Sequence, residues 1–152
     1  MHAEEEKFER LKERVRLAYQ NIGRVFCPFL QKVIVFNHVG FNHFFFKGNN
    51  RRRPISDSHQ RLSIFRFVSR ILNDSHTIQD MRVLNRFENM KSGSRRELQL
   101  SSVRYFEFVA LMDGYRVKIV LKQIKDGPVC FLSVIPAWKR SFDSDDDPLA
   151  FT

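Results

Sequence analysis

The 152-residue chain is poor in the residues that would mark several large protein classes. It has two cysteines, Cys27 and Cys130, far apart and matching neither a disulfide framework nor a metal-ligand spacing. Cys130 sits in an apolar run and reads as a small hydrophobe. Six glycines and five prolines are too few for a collagen-like or low-complexity chain. No apolar run reaches the length of a membrane span, and the opening "MHAEEEKFERLKERVR" lacks an apolar secretory core. These absences predict a cytoplasmic protein without a membrane partner.

Acid is scarce where it matters most. Residues 14–140 hold 23 of the 26 Lys/Arg but only 8 of the 17 Asp/Glu, a net charge of +15 within a chain of net +9. Such a body attracts polyanions, because each phosphate it neutralises releases condensed counterions. Hydrophobic residues make up 43% of the chain and 16 are Phe, so the charge rides on a folded core rather than on a disordered basic chain.

Periodicity predicts one helix over 3–22, with Phe8, Leu11, Val15, Ala18 and Ile22 on one face, and a strand over 32–36. A second helix is expected over 56–74, capped by Ser56 or Asp57. "MRVLNRFENM" is compatible with a strand, and "KSGSRREL" reads as a polar loop. Asp113-Gly114 and Asp126-Gly127 then divide three β-rich runs into an antiparallel meander of roughly 103–112, 115–124 and 129–135. In its middle strand Val117, Ile119 and Leu121 alternate with Arg116, Lys118 and Lys122, so one sheet face is expected to be core and the other basic. The element order predicts an α+β protein. It divides into an N-terminal helix and connection (1–31), a core (32–140) and an acidic tail (141–152).

The stretch "FNHVGFNHFFFKGNNRRRP" (36–54) mixes histidines and arginines with five phenylalanines. His43 is either a general acid or base, since imidazole titrates nearest neutrality, or a packed histidine bonded to backbone. His38 lies five residues away, a poor offset for sharing a metal, and no metal is expected. Arg51, Arg52 and Arg53 suit a solvated loop, but guanidinium forks beside a His also suit phosphate chemistry. Arg61 faces either solvent or that loop. Ser133 is either satisfied locally or set beside Lys118 to meet phosphate.

The run "VIVFNHVGFNHFFFKGNNRRRPISDSHQRLSIFRFVSRIL", with "YRVKIVLKQIKDGPVCFLSVIP" after it, resembles the phage-associated branch of the barnase/EndoU/colicin/RelE-like nucleases. The likeness covers roughly residues 32–138. It rests on a strand, a G-x-x-H with a basic residue soon after, arginines leading into a helix, and the "VKIV" and "FLSVIP" strands. It implies N-terminal helices packed on an antiparallel sheet, and a metal-independent ribonuclease of toxin type with no cofactor. It also implies an antitoxin or immunity protein as partner. Carried onto this chain, it places the family histidine on His43, its arginines on Arg53 and Arg61, its strand cation on Lys118 and its late hydroxyl on Ser133. His43 would draw the proton from a ribose 2′-hydroxyl, the cations would neutralise the phosphorane, and Ser133 would position an oxygen. The general acid is open among His38, His59 and a Lys. Lys47, Arg51, Arg52, Arg116 and Lys122 are the expected contacts to the RNA backbone. The competing expectation is a non-catalytic RNA- or DNA-binding module using the same basic face.

Overall fold

The computed structural model describes residues 2–48, 50–74, 80–92 and 95–136. The acidic tail and His76 lie outside them. Helix α1 (His2–Ile22) opens with Glu4 and Glu5 in its first turn, where carboxylates meet the positive end of the helix. Its buried stripe runs through Phe8, Val15 and Tyr19. Tyr19 replaces the expected Ala18, which is exposed, because steps of four keep a longer side chain aimed at the sheet. Gly23, at φ 56°, turns the chain into a strand that the sequence reading missed, β1 (Arg24–Cys27). It pairs antiparallel with β2 (Lys32–Val35).

A short helix, α2 (His38–Asn42), follows, capped by Asn37, whose Oδ1 accepts from the amides of Val39 (3.2 Å) and Gly40 (3.4 Å). The expected helix over 56–74 is broken into α3 (Ile55–Ile64), a 3₁₀ turn (Phe65–Phe67) and α4 (Val68–Asp74). On one continuous α-helix Phe65 and Phe67 would point roughly 200° apart. The tighter turn lets both bury. Helix α3 begins after Pro54, with no side-chain cap, so neither Ser56 nor Asp57 caps it.

The rest of the described chain is sheet: β3 (Asp80–Ser92), β4 (Arg95–Met112), β5 (Tyr115–Ile124) and β6 (Val129–Pro136). The expected loop "KSGSRREL" is mostly strand, with Ser92 opposite Arg95, and only its tip (93–94) lies outside the described residues. Asp113 (φ 50°) and Gly114 (φ 83°) form the left-handed pair that a tight hairpin needs. At the next turn the left-handed residue is Lys125 (φ 52°), one position before the expected Asp-Gly. The amide of Gly127 closes it on the Ile124 carbonyl.

The six strands run in the order β1-β2-β6-β5-β4-β3, antiparallel except for β2 against β6. The fold is therefore α+β, with helices on a mostly antiparallel open sheet. The main core lies between sheet and helices, where Tyr19 meets the rings of Phe36, Phe41, Phe44, Phe65 and Phe131 at 5.3 to 6.5 Å. The other sheet face is not simply basic. Val103, Tyr105, Val120, Leu132 and Ile135 make a second apolar cluster there, and Lys118 is buried against Glu107. Among the described residues no helix is long and apolar enough to cross a membrane.

Candidate functional site

The site forms where the sheet changes partners. Strand β2 stops at Val35, opposite Cys130, so among the described residues β6 from Phe131 onward has no strand beside it on that edge. Helix α2 takes the place, and its close approach depends on Gly40. A Cβ there would fall 2.5 Å from Tyr19 Oη and closer still to the Phe131 carbonyl oxygen. A bulge in β6 sets Val120 opposite Ser133 and Leu121 opposite Phe131, leaving Leu132 as the extra residue. The bulge brings the Ser133 hydroxyl to the free edge.

Two buried arginines fill this corner, Arg53 at 2% and Arg61 at 1% exposure. Both are held by Asp57, one helical turn from each. Arg61 Nε donates to Asp57 Oδ1 at 2.9 Å, and Arg53 Nη1 donates to Oδ2 at 3.3 Å. Arg61 Nη1 reaches on to Ser133 Oγ at 2.8 Å and to the Val134 carbonyl at 3.4 Å. That last bond serves a carbonyl of the strand edge. Arg53 pins the aromatic segment: its Nε donates to the His43 carbonyl (2.8 Å) and its amide to the Phe45 carbonyl (2.7 Å). Ser58 Oγ takes the Phe44 carbonyl between them, at 2.8 Å.

His43 is half-buried, with Nδ1 3.3 Å from Arg53 Nη2. A guanidinium nitrogen can only donate, so Nδ1 accepts and the ring hydrogen is on Nε2. Burial, then the charges of Arg53, Arg61 and Lys122, push its pKa down to about 3. The imidazole is neutral at pH 7. In this resting arrangement its lone pair is engaged and it is a weak base. Burial pushes the Asp57 pKa up, but the charges and hydrogen bonds of Arg61 and Arg53 more than reverse this and hold it below its ordinary value.

His43, Arg53, Arg61 and Ser133, four of the five residues expected to be catalytic, thus form one bonded chain through Asp57. Lys118 is different: its ion-pair partner is Glu107, 3.3 Å away on the neighbouring strand, with both side chains almost fully buried. The sheet cation felt at His43 is Lys122, opposite Cys130. Arg51 and Arg52 are exposed on the loop before α3, where the Arg52 guanidinium lies 5.8 Å from the centre of the Phe46 ring. The Lys47 amide closes that loop on the Arg51 carbonyl at 2.7 Å. Arg116 is exposed at the start of β5, away from the bonded chain. Of the phenylalanines in 41–46, Phe44 and Phe45 are buried, Phe41 half-buried and Phe46 exposed. His38 begins α2 on another side and His59 is exposed on α3, so neither joins His43 in the chain.

Asp57 is the member that sequence reasoning missed. Its signal was present in part, since Asp57 and Arg61 stand four apart on α3, the spacing that pairs opposite charges, with Arg53 four residues before them. A small space of about 120 Å³ remains between Gly40, His43, Phe44, Arg61, Ser133 and Val134, too narrow for a water-sized sphere. An anion reaching the guanidiniums by this route must part α2 from β6. No family model, curated protein or solved structure matches this chain.

Proposed function

We propose that the protein is a metal-independent endoribonuclease that cleaves RNA by attack of a ribose 2′-hydroxyl on the adjacent phosphate. The observation that carries this reading is the meeting of His43, Arg53, Arg61 and Ser133 at the free edge of β6, from four separate parts of the chain. Two guanidiniums share one carboxylate in a buried corner and Lys122 adds its field. A phosphate that parts α2 from β6 meets two guanidiniums in a low-dielectric setting, charge of the sign that stabilises a phosphorane.

The roles follow from the resting bonds. The incoming phosphate draws Arg53 Nη2 away from His43 Nδ1 and offsets the cations that depress the imidazole. Both changes restore His43 as a base for the 2′-hydroxyl proton. Arg53 and Arg61 hold the non-bridging oxygens, Ser133 orients one of them through its hydroxyl, and Lys122 contributes its charge from the sheet. Arg51, Arg52 and Lys47 guide the RNA backbone. Such an activity in the cytoplasm calls for an antitoxin or immunity protein, and its acidic surface would match the net +15 body.

A second reading, a non-catalytic RNA-binding module, is favoured by one observation: the Arg53–His43 bond that engages the imidazole lone pair. Cleavage of a labelled RNA in EDTA separates the two, with a matched DNA strand and the His43→Ala variant alongside. RNA-only cleavage that leaves 2′,3′-cyclic phosphate and disappears in the variant upholds the nuclease. Equal RNA binding by both proteins without cleavage upholds the module.

A further inference from the structure

At the far end of α2 from His43 lies a cleft of about 250 Å³ that the catalytic scheme leaves unused. Tyr19, Phe36 and Phe41 wall it, and Arg16, Gln20 and His38 stand at its rim. We infer that this cleft is a subsite for one nucleobase of the RNA strand whose phosphate is held by Arg53 and Arg61. The inference rests on the ribonuclease reading for the identity of the strand, while the cleft's affinity for a base stands on its own.

Size is the first support. The cleft is below the range of pockets that take drug-sized ligands, and suits a single ring system rather than a folded peptide. Its chemistry is the second. Single-stranded RNA is read by stacking unpaired bases on aromatic rings and bonding their edges; here the half-buried Phe41 ring, beside the buried Tyr19 and Phe36, adjoins a rim of mixed donors and acceptors. The walls are rigid: Tyr19 Oη donates to the Asn37 carbonyl at 2.6 Å, and the Phe36 ring is stacked on Phe131. The rim is available. Among the described residues Gln20 and His38 are exposed and make no side-chain bond that would have to break. Arg16 is anchored through Nε and Nη2 by Glu13, which leaves its Nη1 hydrogens facing outward.

Position is the third support. Helix α2 lines the cleft through His38 and Phe41 and the small space at His43 through Gly40, and five residues at the helical rise span about 7.5 Å. A base in the cleft therefore belongs to a nucleotide close along the strand to the phosphate under attack.

The test is a set of backbone and side-chain amide NMR spectra of the full chain, titrated with each of the four nucleosides and separately with inorganic phosphate. Nucleosides carry no phosphate and report on the cleft alone. The expected result is saturable shifts at Gln20, His38 and Phe41, stronger for one or two bases than for the rest. The paired variants Gln20→Ala and His38→Ala should each weaken this binding by roughly two- to tenfold, the size of one lost edge hydrogen bond. Phosphate should shift Arg53 and Arg61 side-chain signals instead. Nucleoside binding in the cleft by a protein that does not cleave RNA would sustain the subsite and sink only the nuclease. Cleavage by a protein whose cleft shows no nucleoside shifts would overturn the subsite and leave the nuclease standing.

Discussion

Replacing His43 with Asn should change how stability depends on pH more than it changes stability itself. Asn keeps an oxygen near the position of Nδ1, so it can still accept from Arg53 Nη2, but it does not titrate. In the wild type the imidazole has a pKa of about 3 when folded and of 6.5 when unfolded. Between these values the unfolded chain binds one proton more than the native chain. Stability therefore rises with pH across this window, and it falls as acid is added. One proton corresponds to about 1.4 kcal/mol per pH unit, so two units below 6.5, at pH 4.5, the wild type has lost about 2.7 kcal/mol from this group. Urea unfolding at half-unit steps from pH 7.5 to 4.5, on both proteins, measures it. All other titrating groups are common to the two, so the difference between their curves isolates position 43. The wild type should fall behind the variant as the pH drops below about 6.5, with a slope approaching 1.4 kcal/mol per unit, and the difference should be flat above it. Parallel curves would mean that the imidazole protonates equally well in the folded protein, and the bonded chain from His43 to Ser133 would be wrong at its first link.

Three further outcomes follow from the same geometry. Asp57→Asn removes the carboxylate charge that two buried guanidiniums share and should cost about 2–3 kcal/mol, the low end for a broken buried pair, because the Asp57 side chain is 28% exposed and both arginines keep other hydrogen bonds. Calorimetry should show Tm lowered by about 4–12 °C; since the native Asp57 pKa is depressed, that gap should persist above pH 3.8 and close only as acid protonates the wild-type carboxylate. Gly40→Ala pushes a methyl against the Phe131 carbonyl and should destabilise by about 1–3 kcal/mol in urea, so a loss under about 0.5 kcal/mol would contradict the seating of α2 on β6. Lys118→Met should cost about 3–5 kcal/mol by leaving Glu107 buried with its ion-pair partner removed, and adding Glu107→Leu should recover most of it. If the nuclease reading holds, that double variant should still cleave RNA, and a folded but inactive double variant would return Lys118 to the catalytic group.

How much of this was legible beforehand depended on whether a feature was local. The Phe8–Val15 stripe of α1 and the Asp113-Gly114 hairpin are set by neighbours a few residues apart, and both appear in the fold, whereas the expected core-and-basic alternation of β5 does not, since 117–121 are buried on both faces. Strand β1 did not announce itself, because four residues with alternating exposure carry too little periodicity to read. The 3₁₀ break was hidden for a different reason: seven apolar residues between Leu62 and Leu72 satisfy a helical period however the chain is divided, and only the demand to bury both Phe65 and Phe67 divides it. The site shows the same boundary. Its residue types were legible from their order, and even Asp57 stood at readable spacing from Arg53 and Arg61. Lys118 misled because strand parity names a face without naming a partner, and Glu107 comes from a different strand. Nor could parity foresee that a bulge would bring Ser133 to Arg61, since one extra residue on β6 alters the register only beyond Phe131. The stretch at 36–54 is resolved by the same non-local logic. Phe44 and Phe45 seat it on the core, and its backbone carbonyls are held by Arg53 and Ser58. The histidine in its midst is kept neutral first by burial and then by the charges of Arg53, Arg61 and Lys122.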